Sequence, residues 1–337
     1  MEIRAVDIGF GYTKITDGRD SRLFKSVYGE ATEIQYREQL LRDEQQPHLH
    51  VEIDDEALFV GDMAERQSKV RAFTQDQNQF MSKFAKVLGL TGLAQLPPRE
   101  GESIHVVTGL PIVYFRQHMQ ELSNLLLGRH LVKVIDRKGQ PQEIAINVEK
   151  LKVVPQPFGS VFDLIFDDNG QPGDKRYLEE KIGVIDIGFR TADYTICDRT
   201  RYSQRGSQTT DSGIGKAFGV IAAALQEQSG IDIEIYRLHE AIQKGSIKIR
   251  GKTYDLTKVS SHAFKQLATA VASEVDRIWT DDWDLDSIVL TGGGCAAIAD
   301  HLIPLLQGEV HLHNAGHDPR LNNARGYWKY GAYLWNR

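Results

Sequence analysis

Val6-Asp7-Ile8-Gly9-Phe10 and Ile185-Asp186-Ile187-Gly188-Phe189 share four identical consecutive residues, 179 positions apart in a chain of 337. Each follows a short apolar run, at 3–6 and 182–185. Each precedes a polar, β-branched stretch, Tyr12-Thr13-Lys14-Ile15-Thr16 in the first half and Thr191-Ala192-Asp193-Tyr194-Thr195-Ile196 in the second. The pattern predicts strand, glycine turn, strand in both halves. A lone Asp-x-Gly also marks ordinary turns. Two matching copies, each opening a half of the chain, favour a functional reading. Two such hairpins facing each other would bring two carboxylates and several glycine amides to one cleft. Carboxylates alone repel a polyphosphate, whereas carboxylates around a hydrated Mg²⁺ hold one. The repeat therefore predicts a two-lobed α/β nucleotide-binding protein.

Composition sets the frame. A hydrophobic fraction of 41% and a charged fraction of 26% are ordinary for a globular protein. A net charge of −6 argues against direct nucleic-acid binding. Cys197 and Cys295 are the only cysteines, too few for a disulfide framework. No apolar run approaches the roughly 20 residues of a membrane span, and no leader pattern opens the chain. These features lead to the expectation of a cytoplasmic protein without a membrane partner.

Working outward from the hairpins, strands are expected at 51–53, 58–60, 104–108, 130–136, 143–148 and 150–154. Helices are expected at 62–69, 78–89 (amphipathic), 113–127, 214–228, 232–243 and 261–279, with Ser260 or Ser261 capping the last. The stretch 167–174 is the most linker-like. It sets the expected lobes at 1–174, with a small insertion at about 29–76, and 175–337, with a small insertion at about 216–260. The C-terminal helix is expected to return towards the first lobe.

Several constellations carry the chemistry. Asp7 and Asp186 end their strands at equivalent positions and would hold magnesium through water. Gly9, Gly11 and Gly188 let backbone approach phosphate. Lys14, on the return strand, either reaches the β/γ-phosphates or is a solvated strand lysine. Ile288-Val289-Leu290-Thr291 runs into Gly292-Gly293-Gly294, then an apolar helix at 295–306. That triple glycine either admits a planar ligand or is a flexible turn. Asp211-Ser212-Gly213-Ile214-Gly215-Lys216 is no P-loop, because Thr210 and Ala217 occupy two signature positions. His311, His313 and His317 read as surface histidines rather than a metal site.

Taken in this order, the motifs resemble the superfamily of actin, sugar kinases and heat-shock chaperone ATPases over essentially the whole chain. Residues 7–14 resemble its first phosphate motif, 186–193 its second, and 290–294 its adenosine motif. Val154-Pro155-Gln156-Pro157-Phe158-Gly159-Ser160 resembles the segment connecting the lobes. The resemblance implies that Gln156 orients the attacking water. It also implies that Gly213, Gly215 and Lys216 lie near the nucleotide, with Phe10, Tyr12, Phe189, Arg190 and Thr191 completing the phosphate turns. Phe189-Arg190 departs from the small residues of many relatives, and Arg190 either contacts phosphate or faces solvent. Val107-Thr108-Gly109-Leu110-Pro111, Phe59-Val60-Gly61-Asp62 and Asn323-Ala324-Arg325-Gly326-Tyr327-Trp328-Lys329-Tyr330-Gly331 are similar to the ParM/StbA group of actin-like proteins. That group implies ATP or GTP hydrolysis with magnesium, dynamic filaments, and segregation of plasmid or other DNA through an adaptor protein. Two other classes stay open: a non-polymerising scaffold or cell-division adaptor, and a small-molecule kinase of the same superfamily.

Overall fold

In a computed structural model, described here for residues 2–34, 48–313 and 316–336, the chain forms two units. One comprises Met1–Gly173 with Leu321–Arg337, the other Asp174–Arg320. The two share one sheet plan. In the first, Glu2–Ile8 pairs antiparallel with Tyr12–Thr16, which pairs antiparallel with Ser21–Lys25. On its other side Glu2–Ile8 runs parallel to Ile104–Leu110, which runs parallel to the end of Pro141–Pro155. In the second, Lys181–Ile187, Ala192–Asp198 and Arg201–Thr210 form the antiparallel part. Ser287–Thr291 and Val310–Leu312 extend it in parallel. The repeat seen as four residues is thus a repeat of five strands in the order 3-2-1-4-5. Both central strands, Glu2–Ile8 and Lys181–Ile187, are buried at every position after the first, and beyond their first residues the polar members are the aspartates and Arg4.

The C-terminal helix Asn322–Trp335 packs on the first unit against the helix Phe158–Ile165. The crossing is close because both helices carry glycine. A β-carbon at Gly326 would stand 1.7 Å from the Gly159 carbonyl oxygen. Phe162 and Tyr330 stack at 4.2 Å, and Lys329 Nζ pairs with the buried Asp163 Oδ1 at 2.8 Å.

Several elements differ from expectation. The segment expected as an amphipathic helix at 78–89 is Gln77–Gln79, a π-helical turn Phe80–Phe84, then Ala85–Gln95. Ala85–Gln95 is buried on nearly every side, with Gly89 admitting Leu126. The two strands at 143–148 and 150–154 are one strand whose register shifts between Val148 and Lys150. The helix expected at 232–243 is a short turn, Ile235–Arg237, and then His239–Lys244. The helix expected from 261 begins at Thr257. Its N-cap is Leu256, with no side-chain cap, while Asp255 accepts the Thr257 amide at 2.8 Å; Ser260 and Ser261 lie inside the helix and do not cap it. The expected helix at 295–306 is Cys295–Leu302 with one tighter turn after it. His313 is buried rather than on the surface. Residues 35–47 of the expected insertion at 29–76 lie outside the described residues, while the strands His50–Ile53 and Glu56–Val60 join the first unit's sheet. Among the described residues no helix is long and apolar enough to cross a membrane.

Candidate phosphate-binding hairpins

Strand pairing determines what faces Asp7. It lies one residue before the end of Glu2–Ile8, opposite Lys14. It is 2% exposed, and its Oδ2 accepts from Lys14 Nζ at 2.7 Å. Its Oδ1 accepts from Gln156 Nε2 at 3.1 Å, across 149 residues of sequence. With its amide nitrogen held by a carboxylate, Gln156 keeps its side-chain oxygen free of that contact and able to accept from a water. The turn between the strands is closed by Gly9 N donating to Tyr12 O at 3.0 Å. Ser26 braces it, its hydroxyl donating to Gly9 O at 2.6 Å and its amide to Gly11 O at 2.9 Å. Phe10 is buried, its ring 4.6 Å from that of Phe80, so its side chain is core and only its backbone is available to a ligand.

Gln156 is placed by parts that sequence reading did not single out. Its amide donates to Leu110 O at 2.7 Å, and its carbonyl accepts from Tyr327 OH at 3.1 Å. Asn323 Oδ1 accepts from both the amide (2.9 Å) and the hydroxyl (2.8 Å) of Ser160, fixing the helix that follows. The signal was the 323–331 motif, quoted above only for its resemblance.

The second unit repeats the turn. Asp186, 4% exposed, again lies one residue before its strand's end, and Gly188 N donates to Thr191 O at 2.9 Å. Phe189, at Phe10's place, meets Phe218 edge to face at 5.9 Å. One position differs in chemistry. Opposite Asp186 stands Asp193 where the first hairpin has Lys14. Asp193 accepts from Thr191 Oγ1 at 3.2 Å and from the Thr209 hydroxyl. Arg190 neither reaches freely into solvent nor stands alone, because its Nε lies 3.8 Å from Asp211 Oδ1. The glycine loop docks on this turn. Gly213 N donates to Arg190 O at 3.0 Å, Ile214 N to Gly188 O at 3.0 Å, and Gly215 N to Phe189 O at 2.7 Å. A β-carbon at Gly213 would stand 2.3 Å from the Arg190 carbonyl carbon, so glycine is required there. Lys216 is exposed in the first turn of Gly215–Ser229.

The triple glycine joins the same group. Gly292 has φ +88°, and a β-carbon there would lie 2.2 Å from Asp186 Oδ1. Gly294 N donates to Ile187 O at 2.8 Å, opening the helix Cys295–Leu302. Gly293 is exposed, and a side chain there would meet Arg320, whose guanidinium is held by Asp318 with Nε 2.9 Å from Oδ2. The first unit therefore gathers Asp7, Gly9, Gly11, Tyr12, Lys14 and Gln156. The second gathers Asp186, Gly188, Thr191, Gly213, Gly215 and Gly292–Gly294 around one turn.

Comparison with known proteins follows the same division. Residues 5–159 match the family model for the N-terminal domain of actin-like proteins, and 184–303 the model for the C-terminal domain of archaeal MreB-like actin homologues. No curated protein matches. A 15-stranded ParM filament from Clostridium botulinum is 26% identical with a TM-score of 0.82, covering 98% of each chain. A non-polymerisable quadruple mutant of pCBH ParM is 27% identical with a TM-score of 0.81, covering 98% of each chain. The Bacillus thuringiensis ParM solved with ATP is 21% identical with a TM-score of 0.74, over 100% of this chain and 99% of that one, a likeness of fold alone.

Proposed function

This chain belongs to the actin-like proteins, and we propose that it is a nucleotide triphosphatase that binds ATP or GTP with magnesium and assembles into dynamic filaments. The observation that carries this reading is the duplicated turn, in which a buried carboxylate ends a strand and a glycine amide closes the hairpin. The ParM relatives reported above, one solved as a filament and one with ATP, support it. Asp7 and Asp186 offer hard oxygen donors of the type magnesium accepts while keeping its waters. Among the described residues no group of three acidic, histidine or cysteine side chains is built to hold a metal, which suits an ion held largely by water and phosphate. Magnesium would supply neutralisation of phosphate charge.

The chain's own residues divide the remaining work. Lys14 brings a point charge to the phosphates and restrains Asp7. Gln156 positions the attacking water through its amide oxygen. It removes no proton, since an amide is not a base. Gly292–Gly294 leave a backbone surface for the purine and its sugar. The biological role we infer is segregation of a plasmid or other DNA in the cytoplasm through a DNA-binding adaptor. The net charge of −6 suits an indirect link to DNA.

Sedimentation over a concentration series, with and without each nucleotide, tests this reading. Phosphate release measured without any added acceptor accompanies it. Nucleotide-dependent pelleting with phosphate release is expected. Hydrolysis by a protein that remains monomeric at every concentration and salt would favour the scaffold or kinase alternatives.

A further inference from the structure

Within the second unit, the long helix Thr257–Ile278 separates two surface features of opposite charge. Before its N-terminus lies the hairpin of Ser246–Ile249 and Lys252–Asp255. Arg250 (φ 47°) and Gly251 (φ 85°) form its tip, in the left-handed conformation that a two-residue hairpin turn demands. Strand alternation sends Ile247, Ile249 and Tyr254 against the unit's core and leaves Lys248 on the opposite, exposed face, while Arg250 at the tip and Lys252 beside it, paired across from Ile249, are also exposed. Lys252 Nζ lies 4.9 Å over the Tyr254 ring, and among the described residues none of these three cations pairs with a carboxylate.

After the helix's C-terminus the chain turns through Thr280-Asp281-Asp282-Trp283-Asp284-Leu285-Asp286. Trp283 is 89% exposed, more than any other large hydrophobic residue described. The turn that carries it is braced. Asp282 is buried, accepts from Arg205 Nη2 at 2.5 Å and pairs with Lys181 Nζ at 3.0 Å, and its amide donates to Trp279 O at 2.8 Å. Trp283 is therefore held outward by a fixed scaffold. Asp281 and Asp284 pair with the same Arg205 and Lys181, so the turn sets four carboxylates against two cations and the surround of the indole keeps a net negative charge. A helix of 22 residues sets the two features about 33 Å apart.

We propose that these features are the two ends of one self-contact, in which Trp283 and its flanking carboxylates dock on the basic tip of the next copy's hairpin, formed by Lys248, Arg250 and Lys252. The proposal rests on the assembly reading above and supplies its residues. An indole is the strongest of the aromatic faces for a cation, and Trp and Arg are the residues that most often dominate an interface. The opposite charges steer encounter and set register. Because the two surfaces differ and lie at opposite ends of a rigid helix, the contact is head to tail. Such a contact grows into a filament when its rotation does not close.

Two variants test it, Trp283→Arg and the triple Lys248→Glu/Arg250→Glu/Lys252→Glu. All the altered side chains are solvent-facing, so unchanged thermal unfolding and unchanged nucleotide turnover below the wild-type critical concentration establish that each variant is folded. Each is expected to raise the critical concentration for sedimentation by about tenfold or more. Mixed in equal amounts, the two variants retain one intact contact between them. They are expected to give cross-linkable dimers and no filament. Near-wild-type assembly by either variant, or no dimer in the mixture, overturns the inference and leaves the assembly reading standing. A wild-type protein that never assembles overturns both.

Discussion

Lys14 and Asp7 stand directly across the first hairpin, with the ammonium 2.7 Å from the carboxylate and both side chains largely buried. Removing one partner of a buried pair strands the other. Lys14→Met leaves Asp7 with Gln156 alone, and we expect a loss of about 3 kcal/mol in denaturant unfolding without nucleotide. Adding Asp7→Asn to Lys14→Met removes the stranded charge and should recover more than half of that loss, without restoring hydrolysis. A single Lys14→Met variant as stable as wild type would mean that the pair is not formed in solution.

The second hairpin has a carboxylate where the first has this lysine, so the two turns are alike in shape and unlike in charge. If both serve one nucleotide, their losses should not add. Asp7→Asn and Asp186→Asn are each expected to lower magnesium-dependent hydrolysis about 100-fold or more. The double variant should fall within about tenfold of the worse single. Fully multiplicative losses would assign the two carboxylates to independent sites.

Gln156→Ala should lower turnover about 100-fold while changing nucleotide affinity little, because an oriented water matters mainly in the transition state. Tyr327→Phe, which removes the hydroxyl holding the Gln156 carbonyl, should give a smaller drop in turnover alone. Affinity by fluorescence titration and turnover by phosphate release separate the two quantities. Equal fractional losses in both would make Gln156 a binding residue only.

The adjacent glycines should respond differently to substitution. Gly292→Ala places a β-carbon against Asp186 Oδ1 in a left-handed conformation, and we expect it to be destabilising by more than about 1 kcal/mol. Gly293 is not in that conformation, and the atoms nearest a side chain there belong to the flexible Arg320. Gly293→Val should therefore keep its thermal midpoint and weaken nucleotide binding. A normally folded Gly293→Val with unchanged affinity would move the purine site elsewhere.

Burial pushes the Cys197 thiol up to about 12, and burial together with the nearby Asp186 raises Cys295 as well. Both should resist alkylation by iodoacetamide at pH 8 until the protein unfolds. The folded-state values lie above the ordinary thiol value of 9.0, so the stability these thiols contribute is full below pH 9. It is lost as pH rises towards 12. Cys197→Ala should flatten that alkaline loss. Rapid native labelling of Cys295 would reveal opening beside Gly292.

The duplicated turn was legible because a hairpin is local. Alternation, a glycine and a carboxylate within ten residues determine both its shape and its register. The triple glycine was legible for the same reason, since strand, turn and helix are contiguous there. Helix limits were less so. The long helix starts at Thr257 after Leu256 with no side-chain cap, so neither Ser260 nor Ser261 begins it, and a π-helical turn at Phe80–Phe84 interrupts a segment whose periodicity looked simple. The position of Phe10 was visible and its burial against Phe80 was not, because that contact spans 70 residues.

By itself, then, the sequence determined the α/β class, the existence of two equivalent hairpins and the chemistry available at each. Only the tertiary structure decided which groups meet. It set Gln156 on Asp7 across 149 residues, and it bound the position of Gln156 to a tyrosine on the last helix. It also separated Trp283 from the basic hairpin by the length of one helix. Local pattern is set by backbone sterics and the alternation of apolar residues. Partnership between distant side chains is set by sheet order and helix packing, and these emerge only when the whole chain buries its core.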